Sequence, residues 1–252
     1  MKKIPNKNLN YNNYGKVIDH HVQPLRQERL KNKKKIIEIC HTGKFLIVLG
    51  GDHEIHEVRE KPDFIIKSPN LTFGLEHQII VDDKAKEREG FFQGIFDRAE
   101  SILQKDSDLP NFLANCYLKP YVNFKINHKP ELIDIICQVV KEYVQNEIII
   151  ENPIIERIGK MRHSQINVNV NLGAWWQQYL THDLLTQAIK RKEEKITLYK
   201  NNTISCQWLL LVIGSTGESS YVIEDMEDYK IESLFDKIYV MEDLSANVYE
   251  VK

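Results

Sequence analysis

The chain has 252 residues, 42% of them hydrophobic, and its 34 basic side chains face 36 acidic ones for a net charge of −2. That is ample apolar mass for a core, and it excludes nucleic-acid binding by overall basicity, so any such face must be a local one made by folding. Four scattered cysteines exclude a Cys-x-x-Cys zinc site, and no apolar stretch approaches the ~18 residues of a membrane span.

The N-terminus is rich in Asn and Lys with no apolar signal segment, so residues 1–20 read as a polar arm and 21–252 as a single domain. Reduced thiols, cytoplasmic residence and no membrane partner are expected; the Lys, Asn and Ile abundance suggests a prokaryotic, AT-rich source. The composition leaves the oligomeric state open.

A helix is expected over Leu25 to His41, with Leu25, Leu30, Ile36, Ile37 and Cys40 as an imperfect apolar stripe and Thr42-Gly43 as its stop. Phe45 to Leu49 is then a compact apolar run, and Asp52 to Glu60 a polar alternating one. Two further runs, Pro62 to Ile66 and Gly74 to Ile80, flank a turn that carries Pro69 and Asn70. The expected order is one helix followed by a three-stranded meander. Antiparallel pairing of the two runs brings Asp63 and Glu76 together at one end of a sheet. Two carboxylates beside apolar backbone raise each other's pKa unless a cation neutralises them, which is the electrostatics of a divalent-metal site.

Lys84 to Lys105 returns to helical periodicity and is expected to cover one face of the sheet. Phe112 to Ile126 alternates as a strand, Pro130 to Val144 is a helix with its proline in the first turn, and Ile148–Ile150 and Gln165–Asn171 read as strands. Leu180 to Lys200 forms an amphipathic helix on which Lys192, Lys195 and Tyr199 share a face at i, i+3 and i+7. Trp208–Ile213, Phe235–Met241 and Val248–Val251 close the chain as strands. The fold class is therefore α/β, a mixed central sheet flanked by helices and elaborated in the C-terminal half.

Pro62-Asp63 on one strand and Glu76-His77-Gln78 on the next resemble the signature of the PD-(D/E)XK, restriction-endonuclease-like nuclease superfamily. Glu60-Lys61-Pro62-Asp63-Phe64 and Gly74-Leu75-Glu76 match a prokaryotic branch reading Glu-x-Pro-Asp-Phe, then Gly-Ile/Leu-Glu-x-Thr, then a Lys-rich helix ending in Tyr. The resemblance covers residues 25–105 best. It implies a restriction-endonuclease-like core that hydrolyses phosphodiesters with Mg²⁺ or Mn²⁺ on nucleic acid, DNA ahead of RNA. Asp63 and Glu76 would be metal ligands, joined by the His77 carbonyl and by an acid from the first helix, Glu28 in preference to Glu38.

Gln78 departs from the motif lysine: it can position water but carries no charge. Either Lys192 or Lys195 supplies the missing ammonium, or the site is degenerate and the chain is a catalytically silent binding or interaction module. Other features read as structural. The lysine clusters at 31–35 and 190–200 suit solvated helix faces, His53 and His56 point to opposite sides of an extended segment, Trp175-Trp176 suit a core, and Ser215 and Ser219 lack a His/Asp frame.

Overall fold

The computed structural model describes residues 1–5, 11–29, 31–120, 122–173, 176–196, 206–214, 216–224 and 231–252. In chain order the elements are β1 (Lys2–Ile4), α1 (Tyr11–Val22), α2 (Lys33–Leu49), β2 (Glu54–Val58), β3 (Phe64–Ser68), β4 (Leu71–Ile80), α3 (Asp83–Leu103), β5 (Phe112–Leu118), α4 (Lys129–Asn146), β6 (Ile155–Arg162), β7 (Asn167–Asn171), β8 (Gln178–Tyr179), α5 (His182–Glu193), β9 (Gln207–Ile213), β10 (Tyr221–Val222), β11 (Lys237–Glu242) and β12 (Asn247–Glu250). They fall into two compact units, Met1–Val81 with Gln177–Lys252, and Asp82–Trp176. No helix among the described residues is long and apolar enough to cross a membrane.

The first unit is built on a seven-stranded sheet in the order β1-β12-β11-β9-β4-β3-β2. Its central strands β4, β9 and β11 run parallel, while β2, β3, β12 and β1 add antiparallel margins. Strand β9 is buried along its whole length, as its unbroken Trp-Leu-Leu-Leu-Val-Ile run requires when both faces are covered. Its residues alternate between two cores. Leu210 and Val212 join Ile18 and Val22 of α1 and Ile39 and Phe45 of α2, whereas Leu209, Leu211 and Ile213 join Leu185, Ala188 and Ile189 of α5. A mixed central sheet flanked by helices is thus what the chain forms.

Three expectations change in this unit. Residues 1–20 are more than an arm: β1 pairs with β12, and α1 buries Ile18 and Val22. The compact apolar run Phe45–Leu49 lies beyond the expected helix end at His41 yet forms the end of α2; a short apolar run has no period of its own, and here it is buried helix. Gly43 is no helix stop. A Cβ there would stand 2.2 Å from Ile18 Cγ2, so glycine lets α1 and α2 approach closely, and the helix ends at Gly50, whose φ of 75° suits it to the cap.

The second unit carries a three-stranded sheet, β6-β5-β7, with β6 antiparallel and β7 parallel to the central β5. Phe112, Ala114, Cys116 and Leu118 face a core shared with Phe92, Ile95, Phe96 and Ala99 of α3 and with Ile136, Val139 and Val140 of α4. The predicted helix over 84–105 is therefore α3, but it packs within this unit on α4 and β7. Ile148–Ile150 is irregular and not a strand. The turn after it is organised by buried Asn152, whose Oδ1 accepts from the Ile154 and Ile155 amides and whose Nδ2 donates to the Ile150 and Ile155 carbonyls.

Candidate ligand-binding cavity

The β3–β4 hairpin places the motif residues. Phe64 pairs with Leu75, so Asp63 and Glu76 come next to one another at the end of β3. Asp63 Oδ2 accepts a hydrogen bond of 2.9 Å from the His77 amide and so continues the ladder where β3 stops. A Cβ on Gly74 would lie 2.6 Å from Pro62 Cγ, so the Pro-Asp and Gly-Leu-Glu frames are explained locally by a proline ring seated on a glycine.

Successive β4 residues point to opposite faces. Glu76, 2% exposed, lies on the α5 face. Lys192 follows Leu185, Ala188 and Ile189 on the inner side of α5, and its Nζ sits 2.7 Å from Glu76 Oε2 and 3.0 Å from the His77 carbonyl oxygen. Of the two lysines singled out from the sequence, this is the one that reaches the hairpin; Lys195 is exposed. Tyr199, Trp175 and Ser215 lie outside the described residues, and Trp176, expected in a core, is 93% exposed.

On the α2 face, His77 is buried beside His41. The rings stack with centroids 5.2 Å apart, and His77 Nε2 lies 3.0 Å from His41 Nδ1. His41 Nε2 in turn stands 3.4 Å from Asp243 Oδ1, and Lys44 donates to the same carboxylate. The hydrogen bond from His41, reinforced by Lys44, holds Asp243 well below the usual carboxylate range. His77 is pushed well below the usual imidazole range by burial first, then by His41, Lys192, Lys34 and Lys35. The sequence reading missed His41, Lys44 and Asp243. The signal within reach was the i, i+4, i+7 row Lys34, Glu38, His41, which shares one helix face once α2 is extended to Leu49.

These elements enclose a cavity of about 640 Å³ lined by Lys31, Lys33, Lys34, Ile37, Glu38, Asp63, His77, Gln78, Ile79 and Lys192. Glu38 is the acid that α2 brings to it, held by Lys34 at 3.8 Å and Lys35 at 3.5 Å. Glu28, preferred from the sequence, instead pairs with Lys31 at 2.9 Å and is largely exposed.

Among the described residues no three His, Cys, Asp or Glu side chains gather to hold a metal ion. The Mg²⁺ or Mn²⁺ site on Asp63, Glu76, His77 and Glu28, and the metal-dependent nuclease built on it, are therefore overturned. The physical reason is visible: the Lys192 ammonium holds the Glu76 carboxylate and the His77 carbonyl, two of the groups assigned to the metal. Comparison with protein-family models, curated proteins and solved structures returns no match for the chain. The resemblance to the PD-(D/E)XK superfamily accordingly fails, and its two matching frames reduce to a packed hairpin.

Proposed function

We propose that the chain is a non-catalytic binding module whose cavity takes the phosphate groups of nucleic acid. One observation carries this reading: four lysines, Lys31, Lys33, Lys34 and Lys192, line the cavity against two carboxylates, Glu38 and Asp63. The Glu38 side chain is 12% exposed and meets Lys34 and Lys35, Asp63 accepts from the His77 amide, and Lys192 is held by Glu76 behind the wall. The Lys31 and Lys34 side chains are 76% and 91% exposed, and Lys33 makes no ion pair among the described residues.

The N-terminus of α2 adds to the same potential. Its first turn carries no acid, and the Asn32 side chain bonds back to the Leu25 carbonyl and gives no cap. Ile37 and Ile79 supply apolar wall for a sugar or base. The volume falls within the roughly 300–1,000 Å³ of small-ligand sites, so the cavity holds a nucleotide-sized part of a longer strand.

The test is fluorescence anisotropy with labelled single-stranded oligonucleotides in EDTA, repeated across a salt series. Engagement of two or three phosphates gives log K falling with log salt at a slope of about −1.5 to −2. Binding that is absent at low salt, or insensitive to salt, contradicts the proposal.

A further inference from the structure

We infer that the cavity takes one unpaired base of a single strand, held edge-on against the open edge of β4 at Ile79. The inference rests on the phosphate-binding reading above and adds to it the group that the phosphate brings along.

Within a strand the N–H and C=O of one residue turn to the same side, and those of the next residue to the other. The Gly74 amide donates to the Cys206 carbonyl just before β9, so Gly74, Glu76 and Gln78 turn their peptide groups to β9. Leu75, His77 and Ile79 turn theirs to the β3 side. There β3 pairs with β4 only as far as Leu75. His77 lies beyond, and its amide and carbonyl are taken by Asp63 and Lys192. Ile79 is the next residue on that edge, and among the described residues neither its N–H nor its C=O has a hydrogen-bond partner.

The cavity runs along this edge. The His77 and Ile79 side chains leave β4 on the α2 face and that of Gln78 on the α5 face, yet all three line it, together with Asp63 at the end of β3. Only a space in the plane of the sheet, where β3 would have continued, meets residues of both faces, and between them it meets the backbone. Ile79 is accordingly 40% exposed although its strand is central.

The edge thus offers one donor beside one acceptor and no second pair, because His77 is already satisfied. An added peptide strand takes its affinity from a ladder of such pairs. A nucleobase needs one, since its Watson–Crick edge sets a donor next to an acceptor and is free only in a single strand. The lysines then hold the phosphate and Ile79 the base.

The experiment measures anisotropy of labelled strands of equal length on the full chain in EDTA: an adenine strand, an abasic strand, an adenine strand dimethylated on the exocyclic amines, and the adenine strand in duplex. Wild type is expected to bind the first about tenfold more tightly than the other three, the worth of two hydrogen bonds. Equal binding of any of the three overturns the inference while leaving phosphate binding intact. Ile79→Pro deletes an amide that the ladder does not use and is expected to bring the adenine strand down to the affinity of the abasic one; an unchanged ratio overturns the inference. Amide hydrogen exchange at Ile79 of wild type reads the edge without any variant. Fast exchange in the free protein that slows with the adenine strand supports the assignment, whereas slow exchange in the free protein, or binding that leaves it fast, refutes it. Protection of Ile79 by an extended polyglutamate peptide and not by the strand makes a peptide the occupant and overturns the assignment to a base. Displacement of the strand by adenosine 5′-monophosphate at equal concentration makes a free nucleotide the ligand and overturns the assignment to a strand. Should no strand bind at all, the phosphate-binding reading fails, and the base with it.

Discussion

The ammonium of Lys192 bridges Glu76 Oε2, at 2.7 Å, and the His77 carbonyl oxygen, at 3.0 Å, so the charge of a carboxylate almost sealed inside a β-sheet is met from a helix far along the chain. A lone buried carboxylate is costly, and removing one partner of such a pair leaves the other uncompensated. Lys192→Met should therefore lower stability by about 3 kcal/mol, read from urea unfolding. Lys192→Met combined with Glu76→Gln should cost clearly less than the sum of the two single changes, because the pair is coupled. Additive losses would show that the contact contributes little.

His77 gives the fold an acid sensitivity whose sign follows from burial. Its folded pKa lies below the unfolded value of about 6.5, so between the two the unfolded chain binds more protons than the folded one. Stability then rises with pH through that window and is lost as pH falls below about 6.5. One proton corresponds to a slope of at most about 1.4 kcal/mol per pH unit. Urea midpoints measured in pH steps should show this slope in wild type and a shallower one in His77→Gln; parallel curves would remove His77 as the cause.

Gly43 separates two opposing effects. Intrinsic propensity favours Gly43→Ala in mid-helix by about 1 kcal/mol, whereas the added Cβ meets Ile18 Cγ2 at 2.2 Å. Overpacking of that kind costs about 1–3 kcal/mol, so Gly43→Ala should lower the melting temperature. An increase would mean that α1 yields freely.

The helices α3 and α4 were legible from helical spacing, as in Phe92, Ile95, Phe96 and Ala99, and the hairpin and late strands as short apolar runs bounded by turns, as in Leu209 to Ile213. Asp63 and Glu76 were legible as neighbours from the pairing of the two runs, and Lys192 or Lys195 as their cation only through the resemblance, whose motif lysine is missing at Gln78. What neutralises Glu76 was not legible. Sequence alone weighs a metal ion and an ammonium alike, and the inward rotation of Lys192 is decided by the packing of Leu185 and Ala188 on the sheet. Asp243 and His41 are far apart in sequence and meet only because the β11–β12 turn lies over α2, a contact without local periodicity.

Asn152 shows the same limit in the second unit. Four hydrogen bonds to backbone groups of residues 150, 154 and 155 converge on one buried side chain. Asn152→Ala leaves those groups unpaired and should cost about 2–3 kcal/mol in chemical denaturation. A change below about 0.5 kcal/mol would mean that water replaces the amide fully.

The lysines at the mouth of the cavity are the central claim, and charge reversal tests it most directly. Labelled single-stranded RNA is titrated in EDTA at low salt with wild type, with Lys33→Glu/Lys34→Glu, and with Lys84→Glu/Lys105→Glu, an equal charge change on α3 and the turn after it. The cavity variant should bind at least about tenfold more weakly and show a shallower salt dependence, while the control matches wild type. Undiminished binding by the cavity variant, or an equal loss in the control, would contradict the assignment of the cavity as the binding site.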